Sequence, residues 1–419
     1  MHLFCPNPLR SENLMLSAQT IAIVKSTAPV MHQHGEAITR HMYDKLLRDP
    51  AIRAIFDPTH QRNGTQARAL AGAVAAYADN IDNLAALGPA VERIAERHVS
   101  LHVQPYHYDI VGTNLLGSVA EVLGAAATPA ILHAWTEAWM ALRDIFVGVE
   151  QAKYRDSAGA PGGWYGWRRF KVADAVQESS VIRSLYLEPE DGGAVMAFHP
   201  GQYLTLRLNV PDHGPLLRHY SLSDAPNGRS YRISVKHEAA PEAGLPDGLG
   251  SSFLHRRLSV GDVVDVAPPA GSFTAPEGDR PLFLLAGGVG ITPMLAVTEA
   301  ELATGSTRPI HLFHAVRDRD HHAFGPRLRD LACRHANLSV GIFYEQVTDG
   351  DRIGIDHDAG GRIDPAAIAA LPQAHDADFM ICGPKGFMTC MIKGLRAGGV
   401  PADRIRYEFF GSHEEELLD

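Results

Sequence analysis

The sequence predicts a multidomain chain with three successive architectures: an all-α part, an antiparallel β-barrel, and an α/β part built on a parallel sheet. Three observations predict it. From Ser17 to about Tyr154, apolar residues recur only at helical spacing. From about Arg168 the period switches to two, in short runs separated by Gly, Pro and Asp turns. From Pro281, apolar runs alternate with helical stretches, the pattern of parallel strands joined by crossover helices. A length of 419 residues suits two to three domains.

Bulk properties exclude several classes. A formal charge of −10 gives no broad electrostatic pull toward nucleic acid or an anionic membrane. Cys5, Cys333, Cys382 and Cys390 form neither a CxxC pair nor a zinc spacing, so no disulfide framework is expected. No apolar run is long enough to span a bilayer, and the N-terminus lacks the charged-then-apolar layout of a secretory signal. A cytoplasmic protein is expected.

Taken in order, residues 1–14 show no periodicity and read as a disordered extension or an over-called start. Ser17 can cap a helix carrying Ile21, Val24 and Ala28. A second helix near Glu36–Leu47 carries Ile38, Met42, Tyr43 and Leu46. A turn runs from Asp49-Pro50 to Ile55-Phe56-Asp57-Pro58. Thr65 opens an Ala-rich helix through Leu70, Val74 and Tyr77. Gly88-Pro89 starts another, which places Val91, Ile94, Ala95, His98 and Leu101 on one face. Arg97 falls off that face; His98 lies on it. Thr128-Pro129 opens the last helix, with Trp135, Trp139, Phe146 and Val149 in one stripe. Residues 155–167, rich in Gly, Ala and Pro, read as a linker docked by Trp164 and Trp167.

The barrel strands are expected at Val181–Glu188, Tyr203–Val210, Tyr231–Lys236 and Val263–Val266. Among them sits Arg218-His219-Tyr220-Ser221-Leu222. Arg offers a fork of donors suited to a pyrophosphate. Tyr, two residues on and on the same side of an extended chain, offers a flat face for a ring. The Ser hydroxyl can serve a ring nitrogen, and Tyr203 supplies a second Tyr upstream. Ser251-Ser252 falls at a loop-to-helix start, where a helix N-terminus with hydroxyls holds pyrophosphate well.

In the third part the strand Leu282–Leu285 leads into Gly287-Gly288-Val289-Gly290-Ile291-Thr292-Pro293, followed by a helix from Met294. The glycines let the backbone approach a phosphate, with Thr292 as cap and Pro293 in the first turn. Further strands are expected at Ile310–Ala315, Leu338–Tyr344 and Phe379–Ile381, the last followed by Cys382-Gly383-Pro384.

The Arg-x-Tyr-Ser run resembles the flavin-binding signature of the ferredoxin-reductase-like family. Tyr43, Phe56, Gln66, His98 and Tyr108 in that order, with Gln61-Arg62-Asn63-Gly64 and Asp109-Ile110-Val111-Gly112, resemble the globin domain of flavohaemoglobins. Together the likeness spans about residues 15–412. It implies a globin (haem) domain at 15–154, a linker at 155–167, an FAD-binding β-barrel domain at 168–277 and an NAD(P)-binding α/β domain at 278–419. It further implies that His98 Nε2 ligates the iron of haem b, with Tyr108 and Glu150 on its other nitrogen and Arg97 beside it. Tyr43 and Gln66 would face the iron-bound ligand, with Leu70 and Phe56 closing the pocket.

By the same resemblance, FAD is held by Tyr203, Arg218, His219, Tyr220, Ser221, Leu222, Ser251 and Ser252, and covered by the Glu408-Phe409-Phe410-Gly411 segment. The nicotinamide nucleotide rests on Gly287 to Pro293 and on Cys382-Gly383-Pro384. Three positions depart from the family's habit: Arg97 for Lys, Ser252 for Asn and Ser412 for Pro. The implied activity is nitric oxide dioxygenase, with electrons from NAD(P)H passing through FAD and haem so that NO and O2 become nitrate, a defence against nitrosative stress. Alternatives are NAD(P)H-dependent reduction of lipid or alkyl hydroperoxides, with a lipid in the distal pocket, and a haem reductase. Arg317 and Arg319 follow a strand where a cation could hold a 2′-phosphate, but Asp318 and Asp320 offset them, so NADH is expected over NADPH. A monomer without a nucleic-acid partner is expected.

Overall fold

The computed structural model describes residues 16–410 apart from 50–51, 53–54, 56–63, 241 and 243. The N-terminal extension, most of the turn containing Phe56, and Gly411 with Ser412 therefore lie outside the described residues. The chain forms two compact units.

The first unit is helical. Its opening helix, α1 (Ala18–Leu46), is one element where the sequence suggested two. Ser17 caps it, its hydroxyl accepting from the Thr20 N–H at 3.0 Å. Pro29 sits inside and removes one backbone bond, ordinarily about 3 kcal/mol. Val24, Ala28, Met31, Ile38 and Met42 are buried on both sides of that proline, and their packing carries the helix through it. Helix α2 (Thr65–Asp79) is entered through left-handed Gly64. It crosses α1 closely: a Cβ on Gly35 would stand 3.3 Å from that of Ala71.

Helix α3 (Gly88–Ser100) starts with proline in its first turn and ends in a Schellman turn. His102 takes a left-handed φ of 57°, its N–H donates to Val99 O, and the Val103 N–H donates to His98 O at 2.9 Å. Helix α4 (Pro105–Leu123) has no single apolar stripe, which is why the spacing did not isolate it. Helix α5 (Pro129–Gly159) runs five residues past Tyr154. Gly112 lets α4 and α5 meet, since a Cβ there would stand 2.0 Å from Trp139 Nε1.

The second unit holds two sheets. The first comprises β1 (Arg168–Gln177), β2 (Ile182–Pro189), β3 (Tyr203–Val210), β4 (Gly214–Ser221), β5 (Tyr231–Lys236) and β6 (Val263–Val266). Their order is β4-β3-β6-β1-β2-β5, and a bridge between Leu222 and Ile233 joins the two outer strands into a barrel. Two strands escaped the sequence pattern. A bulge between Val172 and Asp174 breaks the alternation of β1. In β4 only Leu216 and Ser221 are buried, so no apolar period shows. Trp164 joins this core, donating from Nε1 to Val266 O at 3.1 Å and packing on Phe170 and Tyr231. Helix α6 (Leu249–Arg256) follows β5.

The second sheet is parallel: β7 (Leu282–Gly287), β8 (Ile310–Val316), β9 (Leu338–Tyr344), β10 (Ala359–Gly360), β11 (Asp378–Cys382) and β12 (Ile405–Glu408). Its helices are α7 (Ile291–Ala303), α8 (Gly325–Arg334), α9 (Pro365–Ala369) and α10 (Lys385–Ala397). The order β10-β9-β8-β7-β11-β12 reverses direction between β7 and β11. Such a switch point opens a crevice at the carboxyl ends of the two strands, here Gly287 and Cys382. Among the described residues no helix is long and apolar enough to cross a membrane.

Candidate functional site

In the helical unit the chemistry gathers around His98, near the end of α3. Its Nδ1 lies 2.8 Å from Glu150 Oε1 and 2.8 Å from the Tyr108 hydroxyl, and that hydroxyl itself donates to Glu150 Oε1. A carboxylate only accepts, so His98 Nδ1 carries a proton and donates, which leaves Nε2 as the nitrogen that can ligate a metal. Glu150 is 2 % exposed and Tyr108 7 %, whereas the His98 side chain is 30 % exposed. The anchored nitrogen faces the interior and Nε2 has no hydrogen-bond partner among the described residues. Burial, then Glu150, pushes the Tyr108 hydroxyl's pKa up, so it remains a donor. Phe146 packs against the His98 ring at 5.6 Å. A neutral imidazole with one nitrogen oriented by a carboxylate and the other open is the donor that haem iron takes, so these residues fit the group.

Tyr43 on α1 is buried, and burial raises its hydroxyl's pKa. It shares a core cluster with Leu70 of α2, while Gln66 is half-buried one turn earlier. Arg97 is exposed, and Phe56 lies outside the described residues.

The flavin motif lies along β4. Arg218 and Tyr220 alternate with His219, whose Nδ1 pairs with Thr205 Oγ1 at 2.8 Å and whose ring meets Tyr203 edge-on at 4.8 Å. His219 thus ties β4 to β3 through its own face. Gly271, at φ +114°, lets the Tyr203 ring lie on the backbone; a Cβ would meet that ring at 2.9 Å. Burial pushes the Tyr220 hydroxyl's pKa up. At α6 the hydroxyls are used within the protein. Ser251 Oγ donates to Gly248 O at 3.0 Å and accepts from the Glu238 N–H, and Ser252 Oγ lies 3.2 Å from His237 Nε2. Leu222, the last residue of the motif, is the one that closes the barrel. The aromatic rim a flavin needs is present in Tyr203 and Tyr220.

The nicotinamide motifs meet at the switch point. Gly288–Gly290 forms a 3-10 turn that runs straight into α7. The helix therefore begins at Ile291, and Thr292 is not its cap as expected; its hydroxyl donates back to Val289 O at 3.0 Å. A Cβ on Gly290 would stand 2.2 Å from Cys382 O, and one on Gly287 2.9 Å from Pro384 Cδ. The two motifs are thus in backbone contact, which only glycine allows. They border a cleft of about 400 Å³, large enough for a dinucleotide's nicotinamide half. Phe387, Arg362 and Glu345 also line it. No local pattern announces those three, because they come from separate elements. Cys382 is fully buried and held as a thiol by burial, then by Glu408, its register partner on β12. Phe409 beyond it is half-buried and Phe410 exposed.

Asp318 does not neutralise Arg317 as the sequence suggested. Its carboxylate caps the next turn and pairs with His321 at 2.6 Å, leaving Arg317, among the described residues, only a 3.4 Å contact to His321 Nε2. Arg319 is tied to Asp351 and Asp356.

Cysteine labelling checks this geometry. Cys333 and Cys390 are exposed, Cys382 is buried, and Cys390 lines the cleft. Iodoacetamide on the native protein should alkylate Cys333 and Cys390 and spare Cys382. Saturating NADH should slow labelling at Cys390 alone. Rapid native alkylation of Cys382, read by peptide mass, would contradict the packing.

The two units together define a globin joined in one chain to a flavin- and nicotinamide-dependent reductase. Three domain families match in that order: Globin at residues 40–145, Oxidoreductase FAD-binding domain at 169–275, and Oxidoreductase NAD-binding domain at 284–393. A Flavohemoprotein from Chromobacterium violaceum is 46% identical over 402 residues, covering 95% of this chain and 99% of its own. One from Halalkalibacterium halodurans is 41% identical over 94% of this chain and 97% of its own. The chain belongs to the flavohemoprotein family. Among solved structures, a flavohemoglobin from Malassezia yamatoensis with bound FAD and heme superposes with a TM-score of 0.80 at 28% identity, over 94% of this chain and 100% of that one. The FAD/NAD-binding domain of a nitric oxide dioxygenase from Vibrio cholerae matches at 35% identity and a TM-score of 0.53, over 58% of this chain and 98% of that one.

Proposed function

We propose that this protein is a nitric oxide dioxygenase that converts NO and O2 to nitrate at the expense of NAD(P)H. The observation that carries the reading is the buried Tyr108–Glu150 pair on His98 Nδ1. An oxygen carrier needs only a neutral proximal imidazole. A carboxylate on Nδ1 makes the imidazole a stronger electron donor through Nε2, which favours redox chemistry at the iron. When bound, FAD supplies the conversion of a two-electron donor into single electrons, and haem supplies the oxygen-binding metal.

The chain's own residues do the rest. His98 is the iron ligand, held in one tautomer and one orientation by Glu150 and Tyr108. Tyr43 stays a phenol and donates a hydrogen bond on the ligand side, with Gln66 as its polar neighbour and Leu70 excluding water. Arg218 would hold the pyrophosphate of FAD, and Tyr203 and Tyr220 would offer their rings to the flavin. The Gly287–Gly290 turn and Pro384 would orient the nicotinamide nucleotide, with Cys382 buried behind them. We assign the globin unit to residues 15–154 and the two reductase domains to 168–277 and 278–419, and we place the protein in the cytoplasm as a monomer.

The test is aerobic NO consumption by haem- and FAD-loaded protein with NADH, reading nitrate at the end. Nitrate equal to the NO consumed, at a rate limited by NADH supply, is the expected result. NADH oxidation indifferent to NO would leave a reductase with another acceptor and end this reading.

A further inference from the structure

We propose that His314, which carries no motif signal, is the positioning residue that aims the glycine turn at the nucleotide's phosphates; this rests on reading the 400 Å³ cleft as the nicotinamide nucleotide site. His314 sits on β8, fully buried, and its Nε2 lies 2.9 Å from Gly288 O. A carbonyl only accepts, so Nε2 carries the proton and donates. The Ile291 N–H donates to the same carbonyl, so both of its lone pairs are engaged from the interior side.

The consequence follows from peptide geometry. Gly288 C=O and Val289 N–H belong to one trans peptide plane and point in opposite directions. Pulling the carbonyl inward onto His314 turns the Val289 N–H outward, and Gly288 and Val289 both line the cleft. An outward amide at the head of a helix is an anion donor. Gly288 holds φ +54°, a conformation that costs glycine nothing but needs a partner to select it.

His314 is itself braced. The His322 ring meets it edge-on at 5.5 Å, His322 Nδ1 lies 2.9 Å from the Tyr344 hydroxyl, and Tyr344 stacks on His357 at 5.0 Å. His314 Nδ1 and His322 Nε2 are buried without hydrogen-bond partners among the described residues. The orphaned His314 Nδ1 is a cost that simple packing would avoid, since a Leu or Phe at 314 would carry none. Burial, then His322, holds the His314 pKa down to about 3, so it remains a neutral donor at physiological pH.

The experiment compares His314→Leu with His314→Gln in the haem- and FAD-loaded protein. Steady-state NADH oxidation with ferricyanide as acceptor needs neither NO nor the haem ligand. Wild-type turnover there establishes NADH oxidation by the protein, whatever the nitrate assay returns, and slowed labelling of Cys390 by NADH places the nucleotide in the cleft. His314→Leu should raise KM for NADH about tenfold, leave kcat within about twofold, and weaken ADP-ribose binding by the same factor as KM. His314→Gln keeps an amide donor at similar reach and should recover most of the loss. The flavin spectrum should match wild type in both. An unchanged KM in His314→Leu, an equal loss of kcat, or no recovery in His314→Gln would overturn the assignment. Should His314→Leu fail to fold, His314→Asn, whose amide falls short of Gly288 O, takes its place against His314→Gln under the same criteria.

Discussion

His98→Ala is expected to lower nitrate formation by more than about a hundredfold while NADH-dependent ferricyanide reduction stays near wild type. Removing only a partner of a metal-bound histidine commonly costs 10–100-fold, so removing the ligand itself sets a larger floor. Loss of the imidazole also strips Glu150 and Tyr108 of their third member and leaves a buried carboxylate with Tyr108 alone. The variant's haem Soret absorbance should fall with the activity. The helical unit should stay folded, because its main core is built by α1, α2, α4 and α5 residues. A variant that retained haem and full nitrate production would remove His98 from the centre of this protein. One that lost ferricyanide reduction as well would show that the substitution damages the reductase, and the assignment would need another variant.

Gly290→Ala should cause the largest loss in the reductase unit. The added Cβ would meet Cys382 O at 2.2 Å, Cys382 C at 2.5 Å and Gly383 N at 2.8 Å. All three are backbone atoms, and β11 is paired on both sides, to β7 and β12, so nothing there can swing away. Overpacking of this kind costs about 3 kcal/mol or separates the elements it wedges apart. Either outcome opens the floor of the nucleotide cleft. KM for NADH should rise more than tenfold, and the reductase melting transition should fall by several degrees. Haem absorbance should stay intact, which separates this loss from the first. Gly288→Ala makes a useful control: no atom lies within 4 Å of its Cβ position, so its cost is confined to the left-handed φ. Equal behaviour of the two variants would mean that backbone strain, not contact with Cys382, governs the site.

Much of this architecture was legible in the chain, for identifiable reasons. His98 stood out because the apolar face of α3 is strongly periodic. The glycine turn stood out because strand, glycines and helix are contiguous. What stayed hidden depends on contacts between distant segments. Two helices were expected before Leu47, and tertiary packing makes them one by carrying α1 through Pro29. In β4 the functional residues occupy the positions where apolar residues would have announced a strand. Thr292 looked like a cap because the 3-10 turn before it cannot be read from glycines alone. The Asp318 carboxylate could as well have faced Arg317; a local turn decided for His321. His314 is one of two histidines on β8, with no pattern to separate it from an inert core residue.

The bridge between Leu222 and Ile233 has a consequence for how the protein behaves in a crowded solution. Open sheet edges are templates on which other chains pair and aggregate. Here the first sheet joins its own ends beside the flavin motif. The second is bordered by β10, only two residues long, and by β12, which carries Arg406 and Glu408. Short and charged borders are poor templates. Among its described residues the reductase unit therefore presents little for a neighbour's backbone to extend. A net charge of −10 adds mutual repulsion, so the protein should stay dispersed at concentrations where an open barrel would precipitate.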